Sequence, residues 1–347
     1  MKEKMWALMV IMSHNQWMWP EKDPKPFDER VKGREVLCFD DSFWEYILEE
    51  SVKVGINTIL LDVGDGVQYA SHPEISLKNA WSKKRVHEEI ERCAKLGIKI
   101  IPKINFATPH SFWLGEYRRM TSTNTYYRVC SDIIKEIYEM FEHPEYIHLG
   151  MDEEGYDFSK GHGLVVYRQG ELFWHDLRFL IDCVKETGAT PWIWHSPLFD
   201  HTEEYKAHID PDEAVISPYF YHALKEGCYT RTDSRQEYID YYRTEGGQLY
   251  HLHLDYVEDD PFSVNFRAKA LPLLKEGYKY IPCPSVFHHC DRNTRDLLEY
   301  FKEGAPDDQI IGYVAAPWFD TTWEQKANFD ETFYFLKEAK KEIYGIE

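Results

Sequence analysis

Short apolar runs alternate with longer amphipathic stretches from one end of the chain to the other, the pattern of repeated βα units wound around a parallel sheet. The strands this pattern predicts cover residues 6–12, 58–63, 99–106, 146–150, 191–195, 215–219, 280–286 and 310–315, eight in all. Between them the spacing predicts helices over 43–54, 83–96, 126–141, 171–186 and 292–302, among others. Several of these helices end in glycine just before the next strand, as in VGINTILL, LGIKIIPK and EGYKYIPC. Glycine there takes the left-handed turn that closes a helix. Eight such units imply an α/β fold, a single (β/α)8 TIM barrel. One stretch, 248–255, also reads as a strand and would make nine. It is either a hairpin in the loop after strand six or a sign that strand six is misplaced.

Composition narrows the picture without changing it. The 347 residues fit one large barrel, and no Ser/Gly/Pro-rich linker or low-complexity block divides them, so a single domain over 1–347 is expected. With 43% hydrophobic and 29% charged residues the chain can bury a sizeable core. A formal charge of -20, with no segment rich in Lys and Arg, argues against nucleic acid and against acidic membrane surfaces as partners. Seven Cys without a CxxC pair disfavour a disulfide framework or a zinc knuckle. The apolar run near the N-terminus is short and lacks a small-residue cleavage site, so it reads as a first strand and the expected location is cytoplasmic. Aromatic residues reach 16%, with 11 Trp and 24 Tyr, and their flat faces suit sugar rings.

In such barrels the working residues sit where the strands end and the following loops converge. Polar residues crowd those ends here: His14 and Asn15, Asp62 and Asp65, Asn105 and His110, Trp194 and His195, Trp318 and Asp320. The most informative end is YIHLGMDEEGY, an apolar strand that runs into Asp152, Glu153 and Glu154. Side chains alternate along a strand, so Asp152 and Glu153 converge only if the strand stops there. Taken alone, adjacent acids more often cap a helix or face solvent.

The surrounding segments reverse that balance, because the chain resembles glycoside hydrolase family 20, the β-N-acetylhexosaminidases, at several places in the right order. HLGMDEE resembles the family's His-x-Gly-Gly-Asp-Glu strand, with Met151 in place of the second Gly. GINTILLDVGDG followed by HPEIS resembles the second-strand segment and puts Asp65 at its Asp. IIPKINFATPHSFWL resembles the third-strand motif with one extra residue, so that His110 falls on the family His. TPWIWHSPL and IIGYVAAPWFD resemble the fifth and eighth strands, each ending in Trp.

The resemblance implies a glycosidase of carbohydrate metabolism that needs no cofactor or metal and acts on an N-acetylated sugar. It implies substrate-assisted retention, in which the sugar's own acetamide oxygen attacks the anomeric carbon. Asp152 would orient the acetamide, and Glu153 would protonate the leaving oxygen and later take a proton from water. Such double duty needs a carboxyl that keeps its proton near the working pH. Asp65 and His110 would form a relay to Glu153. Trp194 and Trp318 would wall the acetyl pocket, with Tyr219 and Tyr221 as further aromatic candidates. His14 would face the sugar at the first-strand rim, and Asp320 would accept hydrogen bonds from sugar hydroxyls. The departures are equally specific. The first strand ends in Ser13, His14, Asn15 and Gln16 where the family has an Arg. Lys103 and Asn105 stand where the third strand carries acids, and His195 replaces an acid on the fifth. A counterpart of the family's small N-terminal domain is not expected within residues 1–347.

Three other readings share the barrel. A metal-dependent hydrolase or isomerase is motivated by sixteen His, among them His251 and His253 on one strand face and the tandem His288 and His289. A degenerate, sugar-binding barrel without turnover is motivated by the departures. A conventional retaining glycosidase would use Asp62 or Asp320 as its nucleophile.

Overall fold

The computed structural model describes residues 3–13, 34–154, 166, 168–224, 261–287 and 290–346. The strands are β1 (Met5–Ile11), β2 (Thr58–Asp62), β3 (Lys99–Lys103), β4 (Tyr146–His148), β5 (Thr190–Trp194), β6 (Val215–Ser217), β7 (Tyr219–Phe220), β8 (Cys283–Pro284) and β9 (Gly312–Ala315). Seven of them form one sheet in the order β6-β5-β4-β3-β2-β1-β9, and β7 pairs with β8. Every ladder between these strands is parallel.

The ring closes through the residues before β8. The Ile216 N–H bonds the Lys279 carbonyl at 3.0 Å, Ile281 bonds back to Ile216 at 3.0 Å, and Ile311 bonds Tyr280 at 2.9 Å on the other side. Prolines explain why this closure is fragmented. Pro218 separates β6 from β7, and Pro282 and Pro284 can donate nothing to a ladder, so the strand expected over 280–286 survives as β8 and a bridge at Tyr280. β6 and β7 together fill one barrel position, and the fold is a (β/α)8 barrel with eight strand positions.

The helices are α1 (Asp41–Val54), α2 (Lys83–Lys95), α3 (Asn124–Met140), α4 (Glu171–Thr187), α5 (Ser196–Asp200), α6 (Thr202–His208), α7 (Pro261–Leu274), α8 (Asn293–Gly304) and α9 (Lys326–Ala339). Local chemistry sets their ends. The Asp40 carboxylate accepts the N–H groups of Ser42 and Phe43 at the start of α1, and Gly55, at φ 69°, closes it. Phe43, Trp44, Ile47 and Leu48 on the same helix are buried in the outer core, each contributing roughly 1.5–3 kcal/mol.

Alternation along the strands makes two cores. On β1, Trp6, Leu8 and Val10 pack outward against the helices, while Ala7, Met9 and Ile11 point into the barrel. Leu60, Ile101, Tyr146 and Trp192 continue that interior. Two residues further along each strand the same inward rows end in Asp62, Lys103, His148 and Trp194, all nearly or fully buried. The barrel interior is therefore apolar below and polar just under its C-terminal rim. No helix among the described residues is long and apolar enough to cross a membrane. His14, the stretch 248–255 and the pairs His251/His253 and His288/His289 lie outside the described residues.

Candidate active site

β4 stops at His148, and the backbone then turns left-handed: Gly150 has φ 73°, Met151 66° and Glu153 55°. Each non-glycine residue held there costs about 1–2 kcal/mol, so the turn must be imposed by its surroundings. Its partners are identifiable. The Gly150 N–H donates to His148 Nδ1 at 2.9 Å, the Met151 N–H to Asn105 Oδ1 at 3.3 Å, and the Gly150 carbonyl accepts from Trp194 N at 2.9 Å. A Cβ at Gly150 would overlap the Asn105 side chain, so glycine is required there by space as well as by φ. Met151, where the family has glycine, buries its side chain completely, which offsets its unfavourable φ.

This turn brings consecutive acids together. His110 Nε2 lies 2.9 Å from Glu153 Oε2 and 3.4 Å from Asp152 Oδ2. The Asp152 side chain is 11% exposed and that of Glu153 35%, so one acid is enclosed and the other is open to solvent. Asn105 Nδ2 donates to Asp152 Oδ1 at 2.9 Å. His110 is carried on a short 3-10 turn, Thr108–His110, after β3.

Electrostatics follow from that geometry. Burial alone would depress His110, but the charge and hydrogen bonds of Asp152 and Glu153 outweigh it and push the imidazole up to about 10. Burial likewise opposes ionisation of Asp152, yet His110 first, then Lys103 and Asn105, hold its carboxyl well below the usual range. Beneath them Lys103 and Asp62 form an ion pair inside the barrel, 0% and 1% exposed. Asp62 is thereby committed to Lys103 and is a poor candidate for a nucleophile. His148 and His195 are neutral: burial drives His148 well below its ordinary value, with Lys103 adding to it, and drives His195 down to about 3.

The aromatic candidates lie beside this pair. Trp194 packs on Trp318 with ring centres 5.5 Å apart and on Tyr219 at 5.8 Å, while Tyr219 stacks on Tyr221 at 5.5 Å. Tyr221 returns to Trp318 edge-on at 6.2 Å, closing a ring of four side chains. Burial raises both tyrosines well above their ordinary value, and the charges of Glu153 and Asp152 add to it. Trp318 is itself left-handed, at φ 63°. Asp65 is buried at the end of β2 and accepts a hydrogen bond from the Ser13 hydroxyl. Asp320 pairs with Arg34 at 3.5 Å on the rim.

Several residues at this site carried no role in the sequence reading. Asn105 was legible as a rim residue but not as the partner of both Asp152 and the Met151 N–H. Arg34 supplies a rim arginine from outside the first strand. Arg168 is buried against Glu154 and Asp176, and no motif announces it. The ligand atoms of His110, Asp152 and Glu153 lie within 4.8 Å of one another, a spacing that could hold a cation. At neutral pH His110 carries a proton there, and a metal would have to displace it.

A barrel whose rim joins two acids, an imidazole and an aromatic wall belongs to the architecture on which many hydrolases are built. No protein-family model and no curated protein matches the chain. Solved structures do. Dispersin B is similar over 99% of this chain and 100% of its own, with TM-score 0.55 and 11% identity. The exo-β-N-acetylglucosaminidase of glycoside hydrolase family 20 from Vibrio harveyi, solved with N-acetylglucosamine, is similar over 99% of this chain and 58% of its own, with TM-score 0.54 and 11% identity. The family 20 β-N-acetylhexosaminidase from Streptomyces coelicolor gives 99%, 70%, 0.55 and 12% in the same terms. The chain has the barrel fold of these family 20 enzymes.

Proposed function

We propose that the chain is a glycoside hydrolase that cleaves N-acetylhexosaminides with retention, using the substrate's acetamide as nucleophile. The observation that carries this reading is the single imidazole nitrogen of His110, in reach of two consecutive carboxylates, Asp152 at 3.4 Å and Glu153 at 2.9 Å. The enclosed Asp152, held ionised, receives the acetamide N–H and faces the positive charge that forms when the acetamide oxygen bonds the anomeric carbon. As that bond forms, the glycosidic C–O bond breaks and the more exposed Glu153 gives its proton to the leaving oxygen. Water then attacks the same carbon, Glu153 takes a proton from it, and the acetamide is released with the original configuration. His110 orients Glu153 and passes it the proton that Glu153 delivers to the leaving oxygen, and Asp65 completes the relay in this reading. Trp194, Trp318, Tyr219 and Tyr221 enclose the acetyl group, and Asp320 with Arg34 faces sugar hydroxyls. The fold shared with family 20 enzymes supports the assignment.

Turnover of nitrophenyl glycosides with and without the 2-acetamido group tests it. Cleavage only of the acetamido sugars is expected. Equal cleavage of a 2-hydroxy sugar would replace acetamide participation with a protein nucleophile. Binding without cleavage, in the wild type and in Glu153→Gln alike, would make the barrel a sugar-binding protein.

A further inference from the structure

Glu154 follows the two acids, and it bonds the segment that carries His110. Its carboxylate accepts the Thr108 N–H at 2.7 Å and the Thr108 hydroxyl at 2.9 Å. Thr108 opens the turn that ends in His110, so two neighbouring links, Glu153 to His110 and Glu154 to Thr108, join the same two segments. On its other side Glu154 meets Arg168, whose guanidinium also reaches the Phe106 carbonyl at 3.1 Å and Asp176 of α4 at 3.2 Å. Asp176 in turn accepts the hydroxyls of Tyr127 at 2.5 Å and Ser122 at 2.6 Å. Every member of the Glu154–Arg168–Asp176 set is at most 8% exposed at its side chain. Burial works against the charge on Arg168, and Glu154 first among its partners restores it.

We propose that Glu154 and Arg168 are positioning residues that hold the left-handed turn after β4 in the register at which Glu153 meets both His110 and the substrate's leaving oxygen. The proposal rests on the glycosidase reading above and adds to it a part the reaction does not itself require. Nothing in the chemistry needs a third carboxylate. The turn does, because left-handed Met151 and Glu153 sit between Asn105 on one side and Glu154 on the other. A guanidinium suits this place because its planar fork bonds Glu154, Asp176 and a carbonyl together, which the single ammonium of lysine does not.

The test separates misplacement of the acid from general damage by varying the leaving group. An alkyl 2-acetamido glycoside needs protonation by Glu153, whereas a 2,4-dinitrophenyl one leaves unaided. For Glu154→Gln and Arg168→Lys the expected result is a fall in kcat/KM, which reports cleavage of the glycosidic bond before the base-assisted water step, of about 10²-fold on the alkyl glycoside and less than about fivefold on the dinitrophenyl one. Thr108→Val, a milder cut of the same link, should show the same selectivity at smaller size, and it serves if the first two variants fail to fold. Equal losses on both substrates, or no loss on either, would overturn the positioning role. A wild type that turns over neither substrate would remove the glycosidase reading, and this inference with it.

Discussion

β1 and β4 stand in the same sheet with β2 and β3 between them, and they use their residues in opposite ways. β1 runs regularly from Met5 to Ile11 and alternates, one side chain to the helices and the next to the barrel. β4 keeps the alternation only from Tyr146 to His148, then turns left-handed so that two consecutive side chains share one imidazole. The regular strand yields burial and hence stability. The interrupted one carries backbone strain, and hydrogen bonds donated to His148 and Asn105 and accepted from Trp194 keep it in place.

That division of labour can be broken. The largest effect is expected at the end of β4: Glu153→Gln should lower kcat on an alkyl glycoside about 10³-fold while leaving the unfolding temperature where it was. On β1 the reverse is expected. Leu8→Ala, at a position with no exposure, should cost about 3 kcal/mol in urea unfolding and leave kcat per folded molecule within about twofold. A tenfold-scale loss of kcat there would mean that the two strands are not independent.

Met151→Gly sharpens the same contrast. It relieves a left-handed residue worth about 1 kcal/mol but removes a fully buried side chain worth about 2–3 kcal/mol. A net loss of about 1–2 kcal/mol is the expected outcome of urea titration. A gain in stability would show that strain, not burial, dominates the turn.

The smallest effects are those of pH. His195, at about 3, and His148, well below its ordinary 6.5, are neutral when folded, so the unfolded chain binds more protons and stability falls as pH drops below about 6.5. His110 has the opposite sign. Its folded value of about 10 gives a contribution complete below 6.5 and lost as pH rises through about 10. Urea midpoints for wild type and His195→Phe between about pH 7 and about pH 5 check the acid limb, which the substitution should flatten. An unchanged slope would mean that His195 takes up its proton without penalty.

The barrel was legible because apolar periodicity records which face of an element is buried. The helix expected over 83–96 is Lys83–Lys95, and that over 171–186 is Glu171–Thr187. The seventh strand was overextended because the alternation outlasts the ladder: Pro282 and Pro284 keep the pattern but lack the N–H. At the site, the alternation rule itself showed that Asp152 and Glu153 meet only if β4 ends before them. It could not show what stops the strand. Gly150 hints at a left-handed turn, whereas Met151 hides it, since a buried methionine reads as more strand. The pairings of Lys103 with Asp62 and of Arg168 with Glu154 and Asp176 join separate segments, and local spacing does not encode them.

The central claim is that the turn after β4 places a carboxylate pair around a participating acetamide, and electron demand in that acetamide measures participation directly. Rates should be taken for a series of aryl glycosides whose N-acyl methyl carries none, one, two and three fluorines. A steep, monotonic fall in kcat, beyond about 10²-fold across the series, is predicted because each fluorine weakens the attacking carbonyl oxygen. A flat series would contradict the account.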